Sequence, residues 1–204
     1  MSFSRVLRVL VTGFEPFGEG RVNPSQIFCQ QLLEKSTLIQ VPAGLEVRAV
    51  VLPVTFASSY GLLAEEIKTF RPDAVICLGL ASARTAIEIE RIAVNLIAAD
   101  VLDNDGFAPT SDTPIDPSAE TAFFSTLPLK AIVSRLRSEG IDARISETAG
   151  LYVCNFVFYQ LMRNHRLHLQ AAGFIHLPPL TDDGREQARA LGLVFDELRQ
   201  LMKN

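Results

Sequence analysis

Cysteine, histidine and net charge are all scarce in this chain of 204 residues, and each scarcity removes a class of function. Three cysteines, Cys29, Cys77 and Cys154, are an odd number at wide spacing, which fits neither a disulfide framework nor a zinc site. Free thiols in a reducing, cytoplasmic setting are expected. Lys and Arg number 19 against 23 Asp and Glu, a net charge of −4. That balance gives no electrostatic surface for a nucleic acid and no signature of disorder, so small molecules or peptides are the expected partners. Long apolar runs are missing too. The run in "MSFSRVLRVLVTGF" is short, β-branched and leads into a turn with no small-residue cleavage site, so it reads as a first strand and no membrane partner is expected. Neither G-x-x-x-x-G-K-[ST] nor G-x-G-x-x-G occurs, which removes the phosphate-loop reading of the first glycines. No internal repeat is visible.

What is present is an apolar content of 48%, enough for one α/β domain over residues 1–204. Short apolar runs alternate with helical patterns. Strands are expected in "RVLRVLVTGF", "LEVRAVVLPV", "DAVICLGL", "DARISET" and "AAGFIHLP", and "AIEIERIAVNL" alternates with period two as an extended segment. Helices are expected in "NPSQIFCQQLLEK", opened by Asn23 or Ser25, in "SSYGLLAEEIKTF", in "LPLKAIVSRLRSEG", closed by Gly140, in "CNFVFYQLMRNHRLHL" and at the C-terminus. In the last, Leu191, Val194, Leu198 and Leu201 form an apolar stripe expected to pack on the sheet, with a contact between subunits as the alternative. The order β-α-β-α places helices on both faces of a sheet. Residues 100–121, rich in Asp, Pro, Ser and Thr, are the one long loop.

Cys154 falls between a strand end and a helix start. Amides and dipole at a helix start favour a thiolate and could hold the oxygen of a tetrahedral intermediate, although a free cysteine is more often simply buried. Among three histidines, His165 and His168 lie at a polar helix end, whereas His176 ends the apolar strand "GFIH". The carboxyl ends of strands are where ligands gather in α/β sheets, so His176 and Cys154 form a plausible base and nucleophile. Glu90 is the candidate third member, since a carboxylate among Ile87, Ile89 and Ile92 needs a partner, with Glu88 and Arg91 as neighbouring candidates; a Glu90–Arg91 surface pattern or a structural ion pair is the competing reading. Phe14 and Phe17 sit on a loop bounded by Gly and Pro and could wall a flat apolar pocket. "DVLDNDGFAPTSD" fails as a calcium loop, because Val101 and Asp112 occupy its first and twelfth positions, and reads as turn chemistry.

The blocks "VLVTGFEPFG" with "NPS", "IERIAVNL", "DNDG", "STLPLKAIV", "SETAGLYVCN" with "FY", and "GFIHLP" resemble, in that order, those of the pyroglutamyl peptidases, over roughly residues 7–178. The resemblance implies a single-domain three-layer α/β/α sandwich with a mixed, mostly parallel twisted sheet. It implies a cysteine peptidase that removes N-terminal pyroglutamyl residues from peptides without metal or cofactor, often as a homo-oligomer, tetramer or dimer. Glu90, Cys154 and His176 match the catalytic positions, and Phe14, Phe17, Leu80, Tyr152 and Val153 are expected to bind the lactam. Two departures stand out. The family's G-Q-A-G-G-R is "GLASAR" here, with Leu80 for Gln, and Asp100 stands where an active-site arginine is expected. An anion near the thiolate should raise the thiol pKa and disfavour an oxyanion. A weakened homologue that binds a lactam, and a cysteine hydrolase of altered range, are the alternative expectations.

Overall fold

The computed structural model describes residues 5–18, 20, 22–109 and 111–202. Its elements are β1 (Leu7–Phe14), α1 (Pro24–Leu33), β2 (Leu45–Leu52), α2 (Ser59–Phe70), β3 (Ala74–Leu80), β4 (Ile87–Glu90), β5 (Ile92–Val94), β6 (Ala122–Phe124), α3 (Leu129–Ser138), β7 (Ala143–Ser146), α4 (Val153–His165), β8 (Ala171–Leu177) and α5 (Arg185–Leu201). Six strands form a sheet in the order β2-β1-β3-β8-β4-β7, while β5 and β6 make a separate two-stranded ribbon. All neighbours in the sheet are parallel except β4 and β8. The result is the mixed, mostly parallel sheet with helices on both faces that the element order implied.

Period-two alternation assigns each side chain to a face. Val9, Val11, Ile76, Leu78, Ile87, Ile89 and Ile175 pack with Phe28 of α1, Leu136 of α3 and Leu191, Val194 and Leu198 of α5. Leu10, Phe14, Val75, Cys77 and Phe174 turn to the opposite face, against Leu63 and Phe70 of α2 and Val157, Phe158 and Leu161 of α4. Leu201 is the one member of the expected C-terminal stripe that remains exposed. The two isoleucines of β4 therefore send Glu88 and Glu90 to the α2/α4 side. His176 on β8 faces the same way as Phe174, two residues earlier.

The turn after β1 is built around Asn23. Its Oδ1 accepts from the Ser25 amide (3.0 Å) and its Nδ2 donates to the Glu15 carbonyl (3.0 Å), so it caps α1 and ties the helix to the turn. Such a cap contributes about 1 kcal/mol. The Ser25 hydroxyl accepts from the Phe14 amide (2.9 Å), and a Cβ on Gly13 would collide with the Ser25 carbonyl, which explains the glycine.

Two elements depart from the sequence reading. The extended segment 86–96 is broken at Arg91 into β4, in the sheet, and β5, in the ribbon. Its partner β6 was not expected. Three residues are too short for a periodic signal, and Phe123 and Phe124 gain strand geometry only by pairing with Ala93 and Ile92.

Candidate active site

Cys154 is the second residue of α4. Tyr152, at the N-cap, is extended (φ −104°, ψ −161°), and no side chain among the described residues caps the helix. The first amide to find a helical carbonyl is that of Phe156, on Tyr152 (3.0 Å). The amides of Val153, Cys154 and Asn155 precede it and have no intrahelical partner. Asn155 fixes this end in space: its Nδ2 donates to the carbonyls of Val94 (2.9 Å) and Leu96 (3.0 Å), and its Oδ1 accepts from the Val94 amide (3.0 Å). Nothing in the sequence reading assigned Asn155 a part. A buried asparagine at a helix start was the available signal.

Gly79 of β3 lies beside His176 of β8, which in turn lies opposite Glu88 of β4. A Cβ on Gly79 would stand 3.1 Å from the Cys154 sulfur, so the missing side chain is what lets the sulfur approach the strand next to His176. His176 is buried, with its ring centroid 4.7 Å from that of Phe174. Its Nδ1 lies 2.7 Å from Glu90 Oε1, and Glu90 is fully buried. An ionised carboxylate can only accept, so Nδ1 donates, and a neutral imidazole in that tautomer carries its lone pair on Nε2. The competing reading of Glu90 also holds in part. Arg84 Nη1 reaches Glu90 Oε1 (3.1 Å) and contacts Glu88 Oε2, while Arg91 turns away to Glu147 (2.9 Å).

Phe14, Phe17, Leu80, Tyr152 and Val153 converge with Asn23, Val54 and Cys154 on one cavity. Its volume is about 10 Å³, room for a single water. The polar atoms of Asn23 are spent on the turn and the α1 cap and the Tyr152 hydroxyl on the Leu102 carbonyl, so what remains of this lining is apolar apart from backbone and sulfur. The Tyr152 ring lies tilted to Phe17 (6.0 Å) and edge-on to Phe56 (5.6 Å), and its hydroxyl donates to the Leu102 carbonyl (2.9 Å). The long loop is held to the pocket by that bond and by others. Asp103 accepts from the amides of Asp105, Phe107 and Phe56, and Asn104 donates to the Pro16 carbonyl (3.0 Å). This is the turn chemistry expected of "DNDG". Asp100 is exposed, and the charges that act on Cys154 come from other groups. His165 is half-buried against the Tyr60 hydroxyl (3.2 Å), and burial lowers its pKa, so it is less a solvated helix-end cation than its sequence setting suggested.

Burial, then the Glu90 carboxylate and then Cys77 push the Cys154 thiol up to about 12. The residue as a whole keeps some exposure, but the sulfur is enclosed and sets the titration. A thiol held this way is neutral at rest and needs a base at the moment of attack. Burial also lifts Cys77 to about 12 and raises Cys29. Unfolding returns these thiols to the ordinary value of 9.0. The folded chain then binds more protons above that value, so stability is complete below it and falls as pH rises through the folded values. Urea denaturation under reductant is expected to show a loss on the order of 1 kcal/mol per pH unit for each thiol. A flat curve across that alkaline window would mean that the thiols ionise alike in both states.

A family model described as pyroglutamyl peptidase matches residues 7–190. The pyrrolidone-carboxylate peptidase of Gloeobacter violaceus is 45% identical over 179 residues, 86% of this chain and 83% of that protein. The enzyme of the same name from Pyrococcus furiosus is 43% identical over 174 residues, 84% and 81% of the two chains. Among solved structures, the pyrrolidone carboxyl peptidase of the hyperthermophile Pyrococcus furiosus superposes with a TM-score of 0.87 at 36% identity, covering 96% of this chain and 100% of its own. Pyroglutamyl peptidase I from Bacillus amyloliquefaciens does so with a TM-score of 0.78 at 35% identity, covering 97% and 91%.

Proposed function

The chain belongs to the pyroglutamyl peptidase family, and from that membership we propose that it cleaves N-terminal pyroglutamyl residues from peptides with Cys154 as nucleophile, His176 as base and Glu90 as the group orienting His176. The observation that carries the reading is the buried His176–Glu90 hydrogen bond of 2.7 Å beside the strand against which the Cys154 sulfur packs. In this mechanism His176 Nε2 takes the thiol proton as sulfur attacks the pyroglutamyl carbonyl. The free amides at the start of α4 stabilise the oxyanion. The imidazolium returns its proton to the leaving amine as the C–N bond breaks, and water, deprotonated by His176, hydrolyses the thioester. Glu90 stabilises the imidazolium throughout without taking its proton.

The apolar cavity suits the lactam, which carries no charge and has no free α-amine. Phe14, Phe17, Leu80, Tyr152 and Val153 would hold it by shape. A single domain spanning the chain belongs to the same reading, supported by a sheet in which β8 lies directly against β3. Self-association into a dimer or tetramer does too, favoured by the outward side of the ribbon, where Ile92 pairs with the 67% exposed Phe124. A cytoplasmic setting is supported by three free cysteines. No helix among the described residues is long and apolar enough to cross a membrane.

The test is hydrolysis of a fluorogenic pyroglutamyl amide under reducing conditions, beside Cys154→Ala and the matching prolyl amide. Release by the wild type alone, and from the pyroglutamyl amide alone, is the expected result. A folded wild type that releases nothing would sink the peptidase reading, and lactam binding would then separate a binder from an enzyme of altered range.

A further inference from the structure

We infer that Arg84 is a positioning residue for the catalytic pair, holding Glu90 against His176 and tying both to the segment that delivers Cys154. The inference rests on the cysteine peptidase reading above. Arg84 ends "GLASAR", just after β3. Its Nη1 lies 3.1 Å from Glu90 Oε1, the oxygen that also accepts from His176 Nδ1 at 2.7 Å. Glu90 Oε2 has no hydrogen-bond partner among the described residues. A carboxylate gripped by two donors on one oxygen cannot swing that oxygen away from the imidazole, whereas one held by the imidazole alone could.

The electrostatics point the same way. An uncompensated buried carboxylate costs several kcal/mol. His176 must be neutral at rest to act as base, so Arg84 is the cation among the described residues that compensates Glu90 directly. Glu88, the second buried carboxylate on this face, contacts Arg84 and accepts from Arg144 Nε at 2.7 Å. Two carboxylates thus meet two guanidiniums, and the formal charges of the four side chains cancel. Moving the Cys154 proton to His176 creates one charge of each sign and keeps the sum at zero. Arg91 adds nothing to this balance, being occupied by Glu147.

The other contacts of Arg84 lead toward the nucleophile. Nη1 donates to Ser146 Oγ (3.1 Å) and Nη2 to the Thr148 carbonyl (2.9 Å), on the stretch that runs into Cys154. One side chain therefore touches the strand of the orienting acid and the approach to the sulfur. A purely structural ion pair between β4 and β7 would also be lost on substitution. It would lower stability and leave proton transfer alone.

The deciding experiment measures two pH profiles in the wild type, Arg84→Lys, Arg84→Met and Glu88→Gln. One is the rate of Cys154 alkylation by iodoacetamide, followed by mass spectrometry; the other is kcat/KM on the fluorogenic pyroglutamyl amide. In Arg84→Met, Glu90 loses its compensating cation and holds the His176 proton harder, so the acid limb of both profiles should rise by about one pH unit. The kcat should fall about tenfold or more with KM little changed. Arg84→Lys should restore the position of the limb, and Glu88→Gln, which leaves Arg84 to Glu90 alone, should lower it. Limbs that coincide with wild type in folded Arg84→Met would overturn the inference. Where that variant does not fold, an unmoved limb in Glu88→Gln would do so. Alkylation needs no substrate, so a wild type inactive on the amide would end the peptidase reading and leave Arg84 still decidable.

Discussion

Replacing Glu90 by glutamine is expected to lower kcat/KM on a pyroglutamyl amide by about 10⁴-fold while the protein still unfolds cooperatively. The two side chains have the same shape, so packing against β8 is preserved. Two electrostatic effects then act in one direction. The His176 Nδ1–H loses a carboxylate at 2.7 Å that fixes its tautomer and stabilises its cation. At the same time Arg84 and Arg144 face only Glu88, so the site gains a net positive charge that opposes formation of the imidazolium. Steady-state kinetics beside a thermal melt give the answer, and a loss below tenfold in a folded variant would remove Glu90 from the reaction.

Gly79→Ala is expected to lower kcat by about 10²-fold through a single added methyl. The new carbon would lie 2.8 Å and 2.9 Å from two atoms of the Phe174 ring and 3.1 Å from the Cys154 sulfur. Phe174 cannot easily yield, since its ring is packed against His176, Phe158 (5.9 Å) and Phe14 (6.3 Å). Relief must come from moving the ring, and with it His176, or from displacing the sulfur. Overpacking of this kind costs about 1–3 kcal/mol of stability, so Tm falls along with the rate. Gly61→Ala is the control. Gly61 lies in α2 with nothing within 4 Å of its missing Cβ, and alanine there should leave kcat alone and add up to about 1 kcal/mol of helix stability. A near wild-type kcat in Gly79→Ala would mean that the site is looser than its packing implies.

The parts of this site that were legible in the sequence are those with a local signature. "IEIE" alternates with period two, and two carboxylates on the buried side of such a strand must find cations. His176 ends a continuous apolar strand, and Cys154 begins a helix after a Gly-containing turn. The reading of 86–96 as one extended segment missed the break at Arg91, because periodicity is blind to a strand leaving one sheet for another ribbon. Long-range contacts had no signature at all. The Arg84 guanidinium reaches Thr148 across 64 residues, and the Tyr152 hydroxyl reaches Leu102 across 50. The concern that Asp100 would oppose the thiolate came from position in a motif. Its exposure follows from a loop path that spacing does not determine.

Among the described residues between Val94 and Ala122 there is neither helix nor strand beyond a single bridge, Ile97 with Thr113. Yet the Asn95 side chain donates through Nδ2 to the Asp116 carbonyl and accepts at Oδ1 from the Asp116 amide, Tyr159 donates to the Glu120 carbonyl at 2.6 Å, and Arg163 pairs with Asp116 at 2.6 Å. Together with Tyr152, Asp103 and Asn104 these tie the described residues of the stretch to the rest of the fold. The ordering entropy of this segment is therefore settled when the protein folds. Calorimetry of a lactam ligand should accordingly show a heat-capacity change in proportion to the ring alone, with no contribution from a collapsing loop.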